Sequence, residues 1–280
     1  MGPWCLSLIY PDVMVGIPSR AALRARGLAW GQRWAPSSRA AVREALDLLT
    51  PWDVGMPLVR VGGDGDGGYL VPDCMDGIGA LFSPGVSETW DFERHMADSY
   101  GMPSFMVDGS VDAPPGLTDM QHFSRKWLGP KSHDDVVSLE AWIGQSDTSP
   151  ESDLLLQMDI EGSEYRVLTS TPLATLRRFR IAVVEFHGLD WIAVGPFLRL
   201  RILPALRKMA VDFEVVHVHP NNCCGVQDLY GVPVPKVLEV TYLRRDFTSD
   251  SPVRARLPHP LDRDCVAGNP TLDLPTNWPI

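Results

Sequence analysis

The sequence contains no uninterrupted apolar run of the roughly 18 residues that a membrane-spanning helix needs, so we expect no membrane span. Its N-terminal segment has neither a basic region nor a clear small-residue cleavage site, and we expect an ordered arm rather than a signal peptide. Charged residues make up only 21% of the 280 residues, against 45% hydrophobic ones, which excludes a disordered acidic chain. This length fits one large domain, or one domain with appendages.

Positive charge and cysteine are also scarce. The chain has 25 Lys and Arg against 35 Asp and Glu, a formal net charge of -10. An acidic surface does not attract nucleic acid or anionic lipid, so neither is expected as a partner. The five cysteines are an odd number and do not form the pattern of a disulfide framework. Their usage favours a reducing, cytoplasmic location.

The standard motifs for phosphate and calcium are missing from the glycine-rich stretch VRVGGDGDGGYLVPD, which fits neither the Walker A nor the EF-hand spacing. Short apolar pieces flank this stretch, so a hairpin or a lid is predicted. Before it, residues 37–49 predict a helix that a serine caps and a proline ends. We expect three parts: an N-terminal appendage or lid at 1–76 that contains this helix and the glycine-rich stretch, a core at 77–247, and an extended proline-rich tail at 248–280.

From about residue 78, short apolar runs alternate with stretches long enough for helices. This alternation predicts βα units on a mainly parallel sheet with helices on both faces. The last two runs are joined without a helical period and are therefore expected to pair antiparallel. The seven predicted strands are IGALFSPG, PSFMVDGS, DVVSLE, DLLLQMDIEG, IAVVEFHG, FEVVHVHP and VLEVTYLRR.

Polar residues follow nearly every predicted strand, and ligands of open α/β sheets bind beyond the carboxyl ends of the strands. In LLLQMDIEGSEYRVL, an apolar run ends in Asp159, Glu161 and Glu164. Side chains two positions apart share a face of a strand, so Glu185 and His187 lie together. If the fourth and fifth strands are neighbours, Asp159 lies near both. A histidine beside carboxylates is a natural general base.

These pieces resemble the FkbM-like group of class I S-adenosylmethionine-dependent methyltransferases. LLLQMDIEGSEYRVL is similar to the fourth-strand motif of that group, an apolar run followed by Asp-(Ile/Val)-Glu-Gly-x-Glu. Further similar pieces are VRVGGDGDGGYLVP, ALFSPGVSETWDFE, SLEAWI, IAVVEFHG and VHVHPNN, which together span roughly residues 58 to 245. The resemblance implies a Rossmann-like seven-stranded sheet in the order 3-2-1-4-5-7-6, with the seventh strand antiparallel.

The resemblance also implies S-adenosylmethionine across the carboxyl ends of the first strands. It places the ribose hydroxyls at Asp108, which ends the second strand, and the methyl and amino-acid end at Asp159 and Glu161. The first loop has one glycine and a proline where many methyltransferases have several glycines. The residues that resemble the turn against the cofactor are Ser83, Gly85 and Val86.

The expected reaction is O-methylation of a hydroxyl on a sugar or natural-product acceptor. Methyl transfer is an in-line displacement, so the protein chiefly aligns the reacting atoms. An alcohol is a poor nucleophile until a base takes its proton. We predict His187 as this base, oriented by Glu185 or Asp159. His219 is the second choice, because the seventh strand separates the fifth strand from the sixth.

A divalent ion is a rival use of the same residues. Asp159, Glu185 and His187 could bind Mg²⁺ or Mn²⁺, which would chelate a diol and lower its pKa. The HxHxxxCC stretch that begins at His217 is not a standard zinc spacing, although zinc there stays an alternative.

Two other classes of protein stay open. A metal-dependent hydrolase would use the same cluster and ignore the cofactor. A non-catalytic binding subunit would have a degenerate cofactor loop, and Pro84 is the residue that keeps this alternative open. Aromatic residues of the N-terminal segment could stack on a sugar ring, although packing is the commoner role for such residues; they are Trp4, Trp30, Trp34 and Trp52.

Overall fold

The computed structural model describes residues 35–86 and 89–279. Trp4, Trp30 and Trp34 therefore lie outside the described residues. The described helices are α1 (Arg39–Asp47), α2 (Asp91–Tyr100), α3 (Leu139–Gln145), α4 (Glu164–Ser170), α5 (Leu173–Leu176), α6 (Gly195–Phe197) and α7 (Leu203–Asp212). A π-helical turn, Leu198–Ile202, joins the last two, and 3-10 turns lie at Leu189–Ala193 and Arg245–Phe247.

The strands, like the helices, are numbered in chain order. The described strands are β1 (Trp52–Asp53), β2 (Leu58–Val61), β3 (Tyr69–Pro72), β4 (Ile78–Pro84), β5 (Ser104–Val107), β6 (Gln121–Ser124), β7 (Trp127–Gly129), β8 (Val136–Ser138), β9 (Asp153–Met158), β10 (Phe179–His187), β11 (Phe213–Pro220), β12 (Val226–Leu229), β13 (Val232–Pro235), β14 (Val237–Arg244) and β15 (Val253–Arg254).

Seven strands form the central sheet in the order β6-β5-β4-β9-β10-β14-β11. All neighbours are parallel except β14, which runs antiparallel to both β10 and β11. Numbered within the sheet by chain order, this is 3-2-1-4-5-7-6 with an antiparallel seventh strand. The predicted fold is therefore confirmed.

One predicted strand exists but was assigned to the wrong sheet. The DVVSLE run contains β8, which pairs with β7 in a separate two-stranded sheet, and the third strand of the central sheet is β6, with the sequence QHFS. β6 lies at the edge, has one neighbour and is mostly accessible, so its sequence lacks the apolar character of a buried strand. The hydrophobic pattern of the sequence therefore predicted the third strand in the more apolar segment that follows β6.

Both faces of the sheet are buried, as the continuous apolar runs predict. Alternate residues of β9 divide between two cores: Leu154 and Leu156 belong to the larger one, and Leu155 to the smaller one. The larger core packs against α1, α3, α4 and α7, and the smaller core against α2 and the β2–β3 hairpin. The helices and the hairpin cover the two faces of the sheet, and the polar residues lie at the carboxyl ends of its strands.

Two local predictions in the N-terminal part are confirmed. The helix predicted at 37–49 is α1, and the Ser38 hydroxyl caps it by accepting the Ala41 N–H at 3.2 Å. The glycine-rich stretch forms the turn of the antiparallel β2–β3 hairpin. Trp52 lies in β1, half-buried, and pairs with the tail strand β15. The boundaries predicted at residues 76 and 247 stay predictions.

The tail folds back over the protein. Leu257, Cys265, Leu274 and Trp278 are buried, so the proline-rich segment contributes side chains to the packed interior. None of the helices that the structure describes has the length and apolar character that a bilayer crossing requires.

Candidate active site

The turn after β4 lies against the end of β9, and Gly85 makes this approach possible. Gly85 has a φ of 89°, and its N–H donates to the Val107 carbonyl at 2.9 Å. A Cβ here would lie 1.5 Å from the carbonyl oxygen of Asp159. Only glycine fits, so the single glycine of this loop brings together the two strand ends that the resemblance assigns to the cofactor.

A cavity of about 330 Å³ opens beside this turn, between the ends of β4 and β5 and the small β7–β8 sheet. Gly85 and Asp108 both line it. Asp108 Oδ1 accepts the Ser110 N–H at 2.7 Å and the Ser110 hydroxyl at 2.6 Å. A Cβ on Gly109 would lie 2.2 Å from the Trp127 ring, so the glycine after Asp108 lets this ring form a wall of the cavity.

His187, the predicted base, ends β10 inside a cluster of carboxylates. Its Nδ1 lies 3.1 Å from Glu164 Oε1. Its Nε2 lies 3.5 Å from Glu161 Oε2, 3.8 Å from Asp159 Oδ1 and 4.0 Å from Glu185 Oε1. The His187 side chain is only 12% exposed. The structure thus brings the predicted base to both of the carboxylates predicted to orient it.

Glu164 is the nearest acid to His187, and the sequence did not assign it a role. It is fully buried at the start of α4, and its Oε1 also accepts the N–H groups of Ile160 and Gly162 at 3.2 and 2.9 Å. Glu161 between them has a φ of 54°, a left-handed conformation that costs energy. Glu164 therefore holds both the strained turn and the ring. The feature of the sequence that could have indicated this role is the position of Glu164 as the last acid of the Asp-(Ile/Val)-Glu-Gly-x-Glu motif.

The carboxylates change the protonation of this cluster. Burial opposes a charged ring, but Glu164 and the neighbouring Asp159 and Glu185 raise the pKa of His187 well above its ordinary range. Burial and the charge of Glu185 raise the pKa of Asp159 well above its usual value. The carboxylates therefore favour the protonated ring, and His187 has to be neutral before it can act as a base.

Ser83 directs its side chain into a buried network rather than into the cavity. Its hydroxyl lies 2.6 Å from Gln157 Oε1 and also contacts Glu93 Oε1. One hydroxyl proton serves one acceptor at a time, so the Ser83 hydroxyl donates either to Glu93 or to Gln157. Burial raises the pKa of Glu93 to about 7, although the Ser83 hydroxyl lowers it in part. The cofactor roles of Ser83 and the buried Val86 stay predictions, because neither lines the cavity.

The network continues to Glu185. Gln157 Nε2 donates to the Tyr69 hydroxyl at 3.3 Å, and this hydroxyl donates to Glu185 Oε2 at 3.2 Å. Asn221 Nδ2 donates to Glu185 Oε1 at 2.9 Å. The hairpin, β9, β10 and the end of β11 are therefore tied together behind His187. The sequence did not indicate Tyr69 or Gln157, since each lies in a strand that is otherwise apolar.

His219 lies away from His187, as the strand order predicts. In the register of the sheet, Glu239 of β14 stands between Glu185 and His219. His217 Nε2 lies 3.0 Å from Asp262 Oδ1, and His219 Nδ1 lies 3.7 Å from Asp262 Oδ2. The tail therefore covers both histidines with an acid.

The metal alternatives are changed by the structure. Cys223 and Cys224 are joined by a disulfide, so they supply no free thiolate to the predicted HxHxxxCC zinc site. At the other site, His187 and Asp159 lie within metal-ligand reach of Glu161 rather than Glu185, whose two oxygens are occupied by Tyr69 and Asn221. The potential ligands of a hard cation therefore include Glu161 in place of the predicted Glu185.

The order of the sheet and the polar carboxyl edge define a Rossmann-like α/β protein. A family model described as "Methyltransferase FkbM domain" matches residues 133–209. This confirms the resemblance to FkbM-like methyltransferases over a segment that includes β9, β10 and the His187 cluster. It supports methyl transfer, with S-adenosylmethionine as the donor, as the class of reaction. No curated protein matches the chain.

Two solved structures are similar at 12% identity. One is a mutant of the 16S rRNA (adenine(1408)-N(1))-methyltransferase from Catenulisporales acidiphilia, with a TM-score of 0.31, covering 67% of this chain and 97% of that one. The other is the complex between the Haloferax volcanii Trm112 methyltransferase activator and a methyltransferase, with a TM-score of 0.33, covering 80% and 95%. At these scores neither similarity bears on the acceptor or on partners.

Proposed function

We propose that this chain is an S-adenosylmethionine-dependent O-methyltransferase that acts on a hydroxyl of a sugar or natural-product acceptor. The observation that carries the proposal is the position of His187 among four carboxylates, at the sheet edge that the Gly85 turn joins to β9. A histidine oriented by acids is suited to take the proton of an alcohol.

The residues at this edge fit the cofactor. S-adenosylmethionine, when bound, supplies an electrophilic methyl group on a sulfonium, together with a ribose and an ammonium. Asp159 Oδ1 is buried and accepts no hydrogen bond from the described residues, so it suits an ammonium donor. Asp108, beside the Trp127 wall of the cavity, suits the ribose hydroxyls. An acidic site also stabilises a cationic ligand electrostatically.

The acidity of the cluster also sets the condition for catalysis. The surrounding carboxylates favour the charged form of the His187 ring and so raise its pKa. The positive charge of bound S-adenosylmethionine in the same cluster would interact with those carboxylates and would lower the pKa of His187. The base therefore becomes available when the site is filled, and an acceptor hydroxyl next to Nε2 can then give up its proton.

A metal-assisted variant has one supporting observation. The potential ligand atoms of Asp159, Glu161 and His187 all lie within 4.8 Å of one another. In that variant Mg²⁺ or Mn²⁺ would chelate an acceptor diol. Loss of methyl transfer in chelator, with recovery on adding Mg²⁺, would favour this variant over direct catalysis by His187.

The first test is calorimetric titration of the protein with S-adenosylhomocysteine. We expect micromolar binding that falls at least tenfold in Asp159→Asn. Asp119→Asn is the matched control, because Asp119 is exposed before β6, at the opposite edge of the sheet. Equal binding by wild type and Asp159→Asn would contradict the placement of the cofactor. No binding by a folded wild type would contradict the function and leave the hydrolase or binding-subunit alternatives.

A further inference from the structure

A second group of potential metal ligands contains Glu239 of β14 and lies on the side of β14 that faces away from His187. His219 comes from β11, Glu239 from β14 and Cys265 from the tail, and one donor atom of each lies within 4.8 Å of the others. His219 and Glu239 are register partners on adjacent strands, and Cys265 Sγ lies 3.0 Å from Glu239 Oε1. Three segments far apart in sequence thus meet at one point.

The His219 ring has weak polar contacts for a buried side chain. His219 is only 9% exposed, neither ring nitrogen makes a hydrogen bond of normal length and angle to a described residue, and its nearest acid is Asp262. A buried polar group without a good hydrogen bond is unfavourable, and a bound metal ion would remove that penalty. Asp262 lies 3.7 Å from Nδ1, so it can hold that side of the ring and leave Nε2 for a metal ion.

The donor types point to one kind of ion. An imidazole nitrogen, a thiolate sulfur and a carboxylate oxygen are the three ligand types that zinc binds in proteins. Magnesium and calcium prefer oxygen ligands alone, so a cysteine in the set argues against them. The His187 cluster, in contrast, contains no sulfur.

We propose that His219, Glu239 and Cys265 form a zinc site, in which Asp262 orients His219. The Cys265 thiol, which donates to Glu239 without the ion, releases its proton to solvent as the sulfur binds zinc. Three protein ligands leave a fourth position for water. Because Cys265 belongs to the tail, the ion fixes the tail against the carboxyl edge of the sheet. This site does not depend on the proposed methyl transfer.

The test is titration of the metal-free, reduced full-length protein with Co²⁺, which substitutes for zinc and reports a bound thiolate by a near-ultraviolet charge-transfer band. We expect one equivalent of Co²⁺ to produce this band and zinc to abolish it. The band should be absent in Cys265→Ser. Cys74→Ser is the matched control, since Cys74 is the other free cysteine among residues 35–86 and 89–279 and lies near Arg180 at the opposite edge.

Two further variants remove the dependence on one substitution. His219→Gln and Glu239→Gln should each weaken zinc binding at least tenfold, while Cys223→Ser/Cys224→Ser should keep the band. Zinc should also raise the Tm of wild type and of Cys74→Ser but not that of Cys265→Ser. A folded wild type without the band would overturn the proposal. A band that persists in Cys265→Ser, or that follows Cys223 and Cys224, would do the same.

Discussion

At the scale of single residues, the pKa of His187 depends on the acid nearest to it. Glu164 contributes most to the stabilisation of the charged ring, and its Oε1 lies 3.1 Å from Nδ1. The amide oxygen of a glutamine can keep the bonds to the Ile160 and Gly162 N–H groups but removes the charge. A Glu164→Gln variant therefore separates the electrostatic effect from the support of the turn.

We expect Glu164→Gln to lower the pKa of His187 by roughly 1–3 units, because one close opposite charge shifts a pKa by that amount. Titration of the imidazole signals by NMR measures this without an acceptor. In turnover assays, the acid limb should move to lower pH in the variant, since activity requires the neutral ring and rises through its pKa. Glu140→Gln, an exposed acid in α3, is the control and should change neither value.

Gly85 permits a contact that no other residue can make. In Gly85→Ala, the methyl group would collide with the Asp159 carbonyl and the residue would keep a positive φ, which alone costs roughly 1–3 kcal/mol. We expect a lower free energy of unfolding and weaker binding of S-adenosylhomocysteine. Gly144→Ala is the control, since Gly144 lies in α3 with no atom within 4 Å of an added Cβ. Equal stability of the two variants would refute the steric argument.

At the scale of elements, the β2–β3 hairpin is joined to the sheet by a polar contact as well as by apolar packing. Tyr69 is buried and its hydroxyl lies between Gln157 and Glu185, while Val61 and Val71 pack in the smaller core. The glycine-rich loop and the short apolar pieces that flank it predict a hairpin or a lid. The role of the hairpin behind Glu185 follows only from its docking on the sheet, because docking brings residue 69 next to residue 185.

We expect Tyr69→Phe to lower the free energy of unfolding by roughly 1–3 kcal/mol, because the buried Gln157 and Glu185 each lose the hydrogen bond that the Tyr69 hydroxyl makes to them. Tyr242→Phe is a matched control. Tyr242 is equally buried, but its hydroxyl has no hydrogen-bond partner among the described residues, so its removal should be near neutral. Urea denaturation of the two variants makes the comparison. A larger loss in Tyr242→Phe would show that the network contributes little.

The error over the third strand also belongs to this scale. β6 contains a single large apolar residue, Phe123. As an edge strand it has a neighbouring strand on one side only, so fewer of its side chains are buried. The more apolar run that contains β8 was predicted as the third strand of the central sheet, although β8 pairs with β7 in a separate sheet. Hydrophobic pattern identifies strands that are buried on both faces and is weak for those at an edge.

At the scale of the whole molecule, buried acids with raised pKa values make stability depend on pH. The pKa of Glu93 is raised by burial from 4.5 to about 7 in the folded chain. Between these values the folded state holds a proton that the unfolded state has lost. By linkage, stability therefore decreases as the pH rises from 4.5 to about 7 and then levels off.

We expect Glu93→Gln to remove this part of the pH dependence, since glutamine does not titrate. Above pH 7 the variant should be the more stable protein, by up to roughly 3–4 kcal/mol, since each pKa unit corresponds to roughly 1.36 kcal/mol. Thermal unfolding of both proteins between pH 5 and pH 8 measures the difference in slope. Parallel curves would mean that Glu93 is not protonated in the folded state.

The sequence by itself determined the class of the sheet, its order through the resemblance, and the strand ends that carry Asp159, Glu185 and His187. Those features follow from local patterns: apolar runs of strand length, and polar residues where each run stops. The same patterns located the hairpin and α1.

Tertiary structure alone decided which side chains meet. Glu164 bonds to His187, Tyr69 joins Gln157 to Glu185, and Cys265 of the tail reaches Glu239. No local pattern encodes these contacts, because each joins segments that lie 23 to 116 positions apart in the chain. They arise when the hairpin, α4 and the tail pack on the sheet, and they set the protonation and the ligand chemistry of its carboxyl edge.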